Sequence, residues 1–141
     1  MKHALIIAAL VIASAAPCRA QKPGPHEAEF HTFYANFRAA VRANNKEKIA
    51  DLIAFPVDDW STERNGNVQT GTIKDRADFL ARYNSLFTAS MRSHIPRAKL
   101  KAFKDGMYEL VWRNVDVDFS FEFYYIAGTG YRVRSYTIGP Y

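Results

Sequence analysis

The sequence predicts an α+β domain with helices in its N-terminal half and an antiparallel sheet in its C-terminal half. Three observations carry that expectation. Phe30, Phe33, Tyr34, Phe37 and Val41 recur at helical offsets. Phe79, Leu80, Tyr83, Leu86, Phe87 and Met91 share one face of a second long helical stretch. Val115, Val117, Phe119, Phe121, Phe123 and Tyr125 alternate with Asp116, Asp118, Ser120 and Glu122, the period of a strand with one core face and one face toward water.

Residues 1–20 come before the domain. Lys2 gives a basic start, residues 4–16 are almost wholly apolar, and Cys18-Arg19-Ala20 places small residues where a cleavage site needs them. This reads as an export signal, too short for the ~20 residues a spanning helix requires. The mature chain is therefore expected in the periplasm or outside the cell, with no transmembrane segment after cleavage. A lipoprotein signal at Cys18 is disfavoured, because Pro17 precedes the cysteine and Ala15 stands where such signals carry Leu. Of 19 basic and 14 acidic residues, Lys2 and Arg19 leave with the signal, so 17 stand against 14 and the net charge is +3. That mild charge argues against a nucleic-acid binder. Cys18 is the only cysteine, so the mature chain has no disulfide and must rely on packing.

Residues 21–26, with two prolines and a glycine, read as a flexible lead into a domain spanning residues 27–141. A first helix is expected over residues 27–43, ended by Asn44-Asn45. Asn45 then caps a short helix carrying Ile49, Leu52 and Ile53, which Phe55-Pro56 stops. Residues 57–62 and 67–73 flank Asn65-Gly66, a pair suited to a hairpin turn. Asp75 and Asp78 suit the start of the third helix, and Ile95-Pro96 its end. Short strands follow over residues 100–103 and 107–112, joined at Asp105-Gly106. The long strand then returns through Gly128-Thr129-Gly130 into a last strand over residues 131–138. A three-residue loop with a bulge at Gly130 pairs Tyr125 with Val133 and sets Glu122 beside Arg134.

At the residue level, Phe37-Arg38-Ala39-Ala40-Val41 with Asn45-Lys46, Ile53-Ala54-Phe55-Pro56, and Asp78-Phe79-Leu80 through Tyr83, Leu86-Phe87-Thr88 and Ile95 resemble small secreted bacterial proteins of unknown function in the NTF2-like (cystatin-like) superfamily. The resemblance covers residues 30–95. Downstream, Asp105-Gly106 and Trp112 are a looser echo. It implies a cone, in which a curved antiparallel sheet wraps three helices. These matches sit at core, cap and breaker positions, so they speak to fold and not to activity.

Enzymes of that fold work at the mouth of the cone with acid and base side chains. The candidates here are His31, Asp58, Asp59 and His94. Each has a simpler reading: a helix-flank histidine, turn or strand-start aspartates, and a cation at a helix C-terminus. Phe79, Tyr83, Phe87, Phe119, Phe121, Phe123 and Tyr125 either fill the core or line an apolar ligand pocket. Asp116, Asp118 and Glu122 do not suit a hard cation, since four residues of strand separate Asp118 from Glu122 by roughly 13 Å. No metal or cofactor is implied. Arg92, Arg97, Lys99, Lys101 and Lys104 form the one basic cluster, suited to anionic envelope polymers or an acidic partner, or simply to a solvated surface.

Three functional classes remain open. One is a non-enzymatic exported domain that binds a small apolar ligand in the cone or a protein on the sheet. Another is an isomerase- or dehydratase-like enzyme. The last is an envelope-assembly or toxin-neutralising interaction module, including a homodimer across the exposed sheet face.

Overall fold

Helix α1 (Glu27–Arg42) forms because its aromatic residues fall on one stripe, and Phe30, Phe33, Phe37, Ala40 and Val41 are buried along it. The computed structural model describes residues 24–64, 67–114 and 118–139. The expected export signal, most of the expected lead, the expected turn residues Asn65 and Gly66, and Val115, Asp116 and Val117 lie outside that set. No residue with a capping side chain precedes α1. His26 takes that place in the left-handed region, with φ 69°, and makes no side-chain cap bond. Its ring is held instead by Glu29, 2.7 Å from Nδ1, and by Tyr125, on which it stacks at 3.7 Å.

The other end of α1 closes on two asparagines with different tasks. Asn44 is left-handed, with φ 52°. Its N–H donates to Val41 and that of Asn45 to Ala40, the paired bonds of a Schellman turn. Asn45 then accepts a bond from the Lys48 N–H and caps α2 (Lys46–Ala50). This helix ends five residues before Phe55-Pro56, earlier than the sequence reading expects. The chain beyond it is occupied elsewhere: Val133 N–H donates to Leu52 C=O at 3.0 Å, and Ala54 N–H donates to Val133 C=O at 2.9 Å.

Strands β1 (Val57–Arg64) and β2 (Asn67–Ile73) pair antiparallel as a hairpin, with Arg64 opposite Asn67 and an irregularity between Val57 and Trp60. Asp75 caps α3 (Arg76–Leu86) by accepting from Asp78 N–H, while the Asp78 carboxylate accepts from Lys74 N–H. The expected single helix through to Ile95 is in fact two. It breaks at Phe87, and Thr88 restarts it as α4 (Ala89–His94), its hydroxyl accepting from Met91 N–H. A threonine hydroxyl competes with the helical ladder, and that competition makes the break affordable. The freed carbonyls are met as well: Tyr136 O–H donates to Leu86 C=O and the Arg92 guanidinium to Phe87 C=O. A 3₁₀ turn, Ile95–Arg97, carries Pro96 and leads into the sheet.

The sheet runs β3 (Lys99–Ala102), β4 (Tyr108–Trp112), β5 (Asp118–Ile126), β6 (Gly130–Gly139), in that spatial order and antiparallel throughout. The register of β5 and β6 differs from the expected one. Tyr125 lies opposite Tyr131, and Val133 lies opposite Phe123. Three residues do form the loop, but they are residues 127–129. The bulge is at Arg134: Val133 faces Phe123, Ser135 faces Glu122, and Arg134 is the extra residue between them. The physical reason is visible in β6. Tyr131 and Val133 are buried, and so is Tyr136, three residues further on. One inserted residue is what returns the strand's alternation to the core.

Asp118 also departs from the sequence reading, which sets it on a wet face: it is 5% exposed, the one buried charged residue among those described. Alternation assigns a side chain to a face but not what covers that face, and Ser120 and Glu122 are half-buried there too.

Candidate functional site

Phe79, Tyr83 and Phe87 from α3 and its C-terminal end and Phe119, Phe121 and Phe123 from β5 are all buried in one core cluster, joined where Phe87 meets Phe121. Tyr83 stacks on Phe87 at 5.6 Å, Phe87 meets Phe121 at 5.5 Å, and Phe37 contacts Phe123 edge-on at 5.4 Å. Tyr125, the seventh predicted lining residue, is half-buried at the end of this column under His26. Tyrosine hydroxyls inside the column have assigned partners. Tyr83 donates to Asn44 Oδ1 at 2.8 Å, Tyr131 to Gly106 C=O at 2.9 Å, and Tyr136 to Leu86 C=O. Burial pushes the Tyr131 phenol up to about 12, with Tyr108 and Glu29 adding to it. Burial also raises Tyr136 well above the ordinary phenol value, and raises Tyr83 against the opposing pull of Arg92.

The predicted acid and base residues stand in separate local arrangements. His31 is exposed on α1, its Nε2 3.5 Å from Glu27. His94 lies flat on Trp112, 4.6 Å between ring centroids, with its Nδ1 3.1 Å from Arg97. The Arg97 guanidinium sits 5.8 Å from the same indole, so His94 and Arg97 both rest on Trp112. Asp58 and Asp59 belong to β1, and their side chains lie outside the described residues. Among the described residues no group of three or more metal-ligating side chains converges. Burial raises the Asp118 carboxyl above the ordinary carboxylate value; nearby Arg113 and the Phe119 N–H pull it down less strongly. Among the described residues its Oδ2 has no hydrogen-bond partner.

A groove of about 460 Å³ is lined by residues of α1 and of α2 with its flanks, among them Ala39, Ala40, Ala43 and Leu52, with the charged Lys48 and Asp51.

The remaining surface feature is the β3 edge. Every residue of β3 is exposed. Leu100, at 37%, and Phe103, at 44%, are the exposed large apolar side chains of the described chain. Around them lie Arg97, Lys99, Lys101 and Lys104; Lys101 pairs with Glu109 across the strand at 3.3 Å. The sequence reading singled out both the basic cluster and a strand here. What it could not supply is that this strand is the last in the sheet.

No family profile matches the sequence, and no curated protein matches it. Solved structures do resemble it. An NTF-2 like protein of unknown function from Silicibacter pomeroyi is 14% identical, over 80% of this chain and 93% of its own, with a TM-score of 0.46. A protein of unknown function with a cystatin-like fold from Methylobium petroleophilum is 9% identical, over 79% and 74%, with a TM-score of 0.47. An NTF2-like superfamily protein from Salmonella enterica is 9% identical, over 81% and 90%, with a TM-score of 0.42.

The architecture is α+β, as the sequence predicts. Four α-helices, where the sequence reading expects three, and the β1–β2 hairpin precede a four-stranded antiparallel sheet. Identities of 9–14% concern fold alone and carry no residue's role to this chain. No helix among the described residues is long and apolar enough to cross a membrane.

Proposed function

We propose that this chain is an exported, non-catalytic NTF2-like domain that binds a protein partner on its sheet. The observation that carries the reading is the β3 edge, where Leu100 and Phe103 are exposed amid Arg97, Lys99, Lys101 and Lys104. A sheet edge with unpaired backbone groups and exposed apolar side chains is a ready contact for another chain. Two further observations support it. The aromatic side chains expected to receive a ligand spend their surfaces on one another, and His31 and His94 are each held in a local pair. The export signal read from residues 1–20 supports a partner in the envelope or outside the cell, and with it an envelope-assembly or toxin-neutralising role.

A small apolar ligand is the second reading. It is favoured by Tyr125 and Tyr34, which stay half-buried at one end of the aromatic column while the phenylalanines beneath are covered. Native mass spectrometry of the chain recovered from its own export compartment separates the two. A bound protein that is lost in the Leu100→Glu, Phe103→Glu double variant supports the sheet reading. A retained small molecule, or a complex indifferent to the double variant, contradicts it. An acid or base role predicts an activity that His94→Ala or His31→Ala abolishes; the binding reading predicts no change in partner binding for either.

A further inference from the structure

The geometry points to an extended segment of alternating acidic and apolar residues, supplied by the partner, that adds to β3 as a fifth antiparallel strand. The inference rests on the protein-partner reading and names the chemistry of its contact. Phe103 N–H donates to Met107 C=O at 2.9 Å, and the register sets Leu100 opposite Leu110 and Lys101 opposite Glu109. Antiparallel pairs alternate between residues bonded to their neighbour and residues turned away. Phe103, Lys101 and Lys99 therefore bond inward to β4, and the N–H and C=O groups of Leu100 and Ala102 point to the open edge. An added strand would bond to those two residues.

Side chains say what that strand carries. Leu100 and Ala102 share a face with buried Leu110 and Tyr108, so the incoming strand would place apolar residues beside Leu100. Lys99 and Lys101 share the other face, where directly opposed acidic side chains would be favoured. Arg97 and Lys104 extend the positive charge past both ends of the strand. The nearby acids, Glu109 and Asp105, are already engaged, Glu109 with Lys101 and Asp105 with Met107 N–H.

A second copy of this chain suits the edge poorly. Pairing centred on Leu100 sets Lys99 of each copy opposite Lys101 of the other, and pairing centred on Lys101 brings the two Lys101 side chains together. Like charges directly opposite one another destabilise an antiparallel pair. Edge lysines thus block self-association while leaving the edge open to an acidic strand.

The test titrates the full chain with short synthetic peptides and follows amide resonances. The probes are an alternating Glu/Val peptide, the same peptide with Lys for Glu, and a Glu/Val peptide N-methylated at alternate residues along its pairing edge. The inference predicts that Glu/Val binds roughly ten-fold or more tighter than Lys/Val. It further predicts weakening by salt, loss of binding on N-methylation, and protection from exchange at Leu100 and Ala102. The Lys99→Glu, Lys101→Glu variant, altered only at exposed side chains, should reverse the preference between the two charged peptides. Equal binding of the N-methylated and unmodified peptides would mean adsorption by charge alone and would overturn the inference. So would a peptide-free protein already protected at Leu100 and Ala102, with a second copy on the edge. If the peptides fail while the native complex still requires Leu100 and Phe103, strand addition is wrong and the protein-partner reading stands.

Discussion

The two edges of the sheet are treated in opposite ways. At β6 the chain turns back on itself: Leu52 and Ala54 bond to Val133, Ile53 bridges to it in parallel, and the β1–β2 hairpin packs alongside. At β3 no described element covers the strand, and lysines with two exposed apolar side chains take the place of a neighbour. A sheet edge invites pairing, and a chain can either cover it or charge it. Here one edge is covered by the chain's own residues, and the other is left uncovered by any described element.

The largest expected effects lie at the covered edge. Ile53→Ala opens a void where α2's exit meets β6 and should cost about 2–4 kcal/mol in urea unfolding. A loss under about 1 kcal/mol would show that residues 52–54 do not hold that edge. Next comes the turn that delivers them there. Asn44→Ala removes both a residue suited to positive φ and the acceptor of the Tyr83 hydroxyl, for about 2 kcal/mol. Asn44→Gly restores the turn and recovers part of that loss. In a Tyr83→Phe background the Asn44→Gly cost should shrink, because the hydroxyl no longer needs a partner.

Protonation gives a third, smaller effect at the ends of β5 and β6, where Asp118 lies opposite Gly139. Its folded-state pKa is raised above the ordinary 3.8, so the folded protein holds this proton more tightly than the unfolded chain does. Stability from this group is therefore greatest below the unfolded value and falls as pH rises through the folded one. Asp118→Asn should remove that decline from the pH profile and raise stability at neutral pH. Lower stability at neutral pH in Asp118→Asn would mean the carboxylate has a charged partner that holds it. Tyr131 follows the same sign at high pH: it stays neutral until about 12, and stability is lost between the ordinary phenol value and that one. A spectrophotometric titration reads this directly.

How much of this the sequence carried follows from what kind of force set each element. Helix α1, the Asn45 and Asp75 caps, the hairpin and the core face of β5 rest on local periodicity or on a side chain bonding its near neighbours, and they were legible. The break at Thr88 was written in the residue but outvoted by the apolar stripe running through Phe87 and Met91. The bulge at Arg134 was also readable, since two polar residues, Arg134 and Ser135, separate Val133 from Tyr136, where strict alternation allows one. The burial of Asp118 and the standing of β3 as an edge were not readable. Both depend on which elements lie alongside, and neither leaves a mark at its own position. The basic cluster was seen as a run of charge, but only the strand order makes it the rim of an open edge.

The smallest effect is the sharpest contrast with Ile53. Leu100→Ala at the open edge should change stability by no more than about 0.5 kcal/mol, as expected for an exposed position away from a cap or core. A cost near that of Ile53→Ala would mean that Leu100 belongs to the fold and not to a contact.

The most direct measurement is residue-resolved amide hydrogen exchange at the two edges, with and without the Glu/Val peptide. We expect Val133 and Ala54 to be protected in both states, and Leu100 and Ala102 to exchange freely alone and slow markedly when the peptide is added. Protection of Leu100 and Ala102 in the free chain, or no change on adding the peptide, would contradict the claim that β3 is an edge kept open for a partner strand.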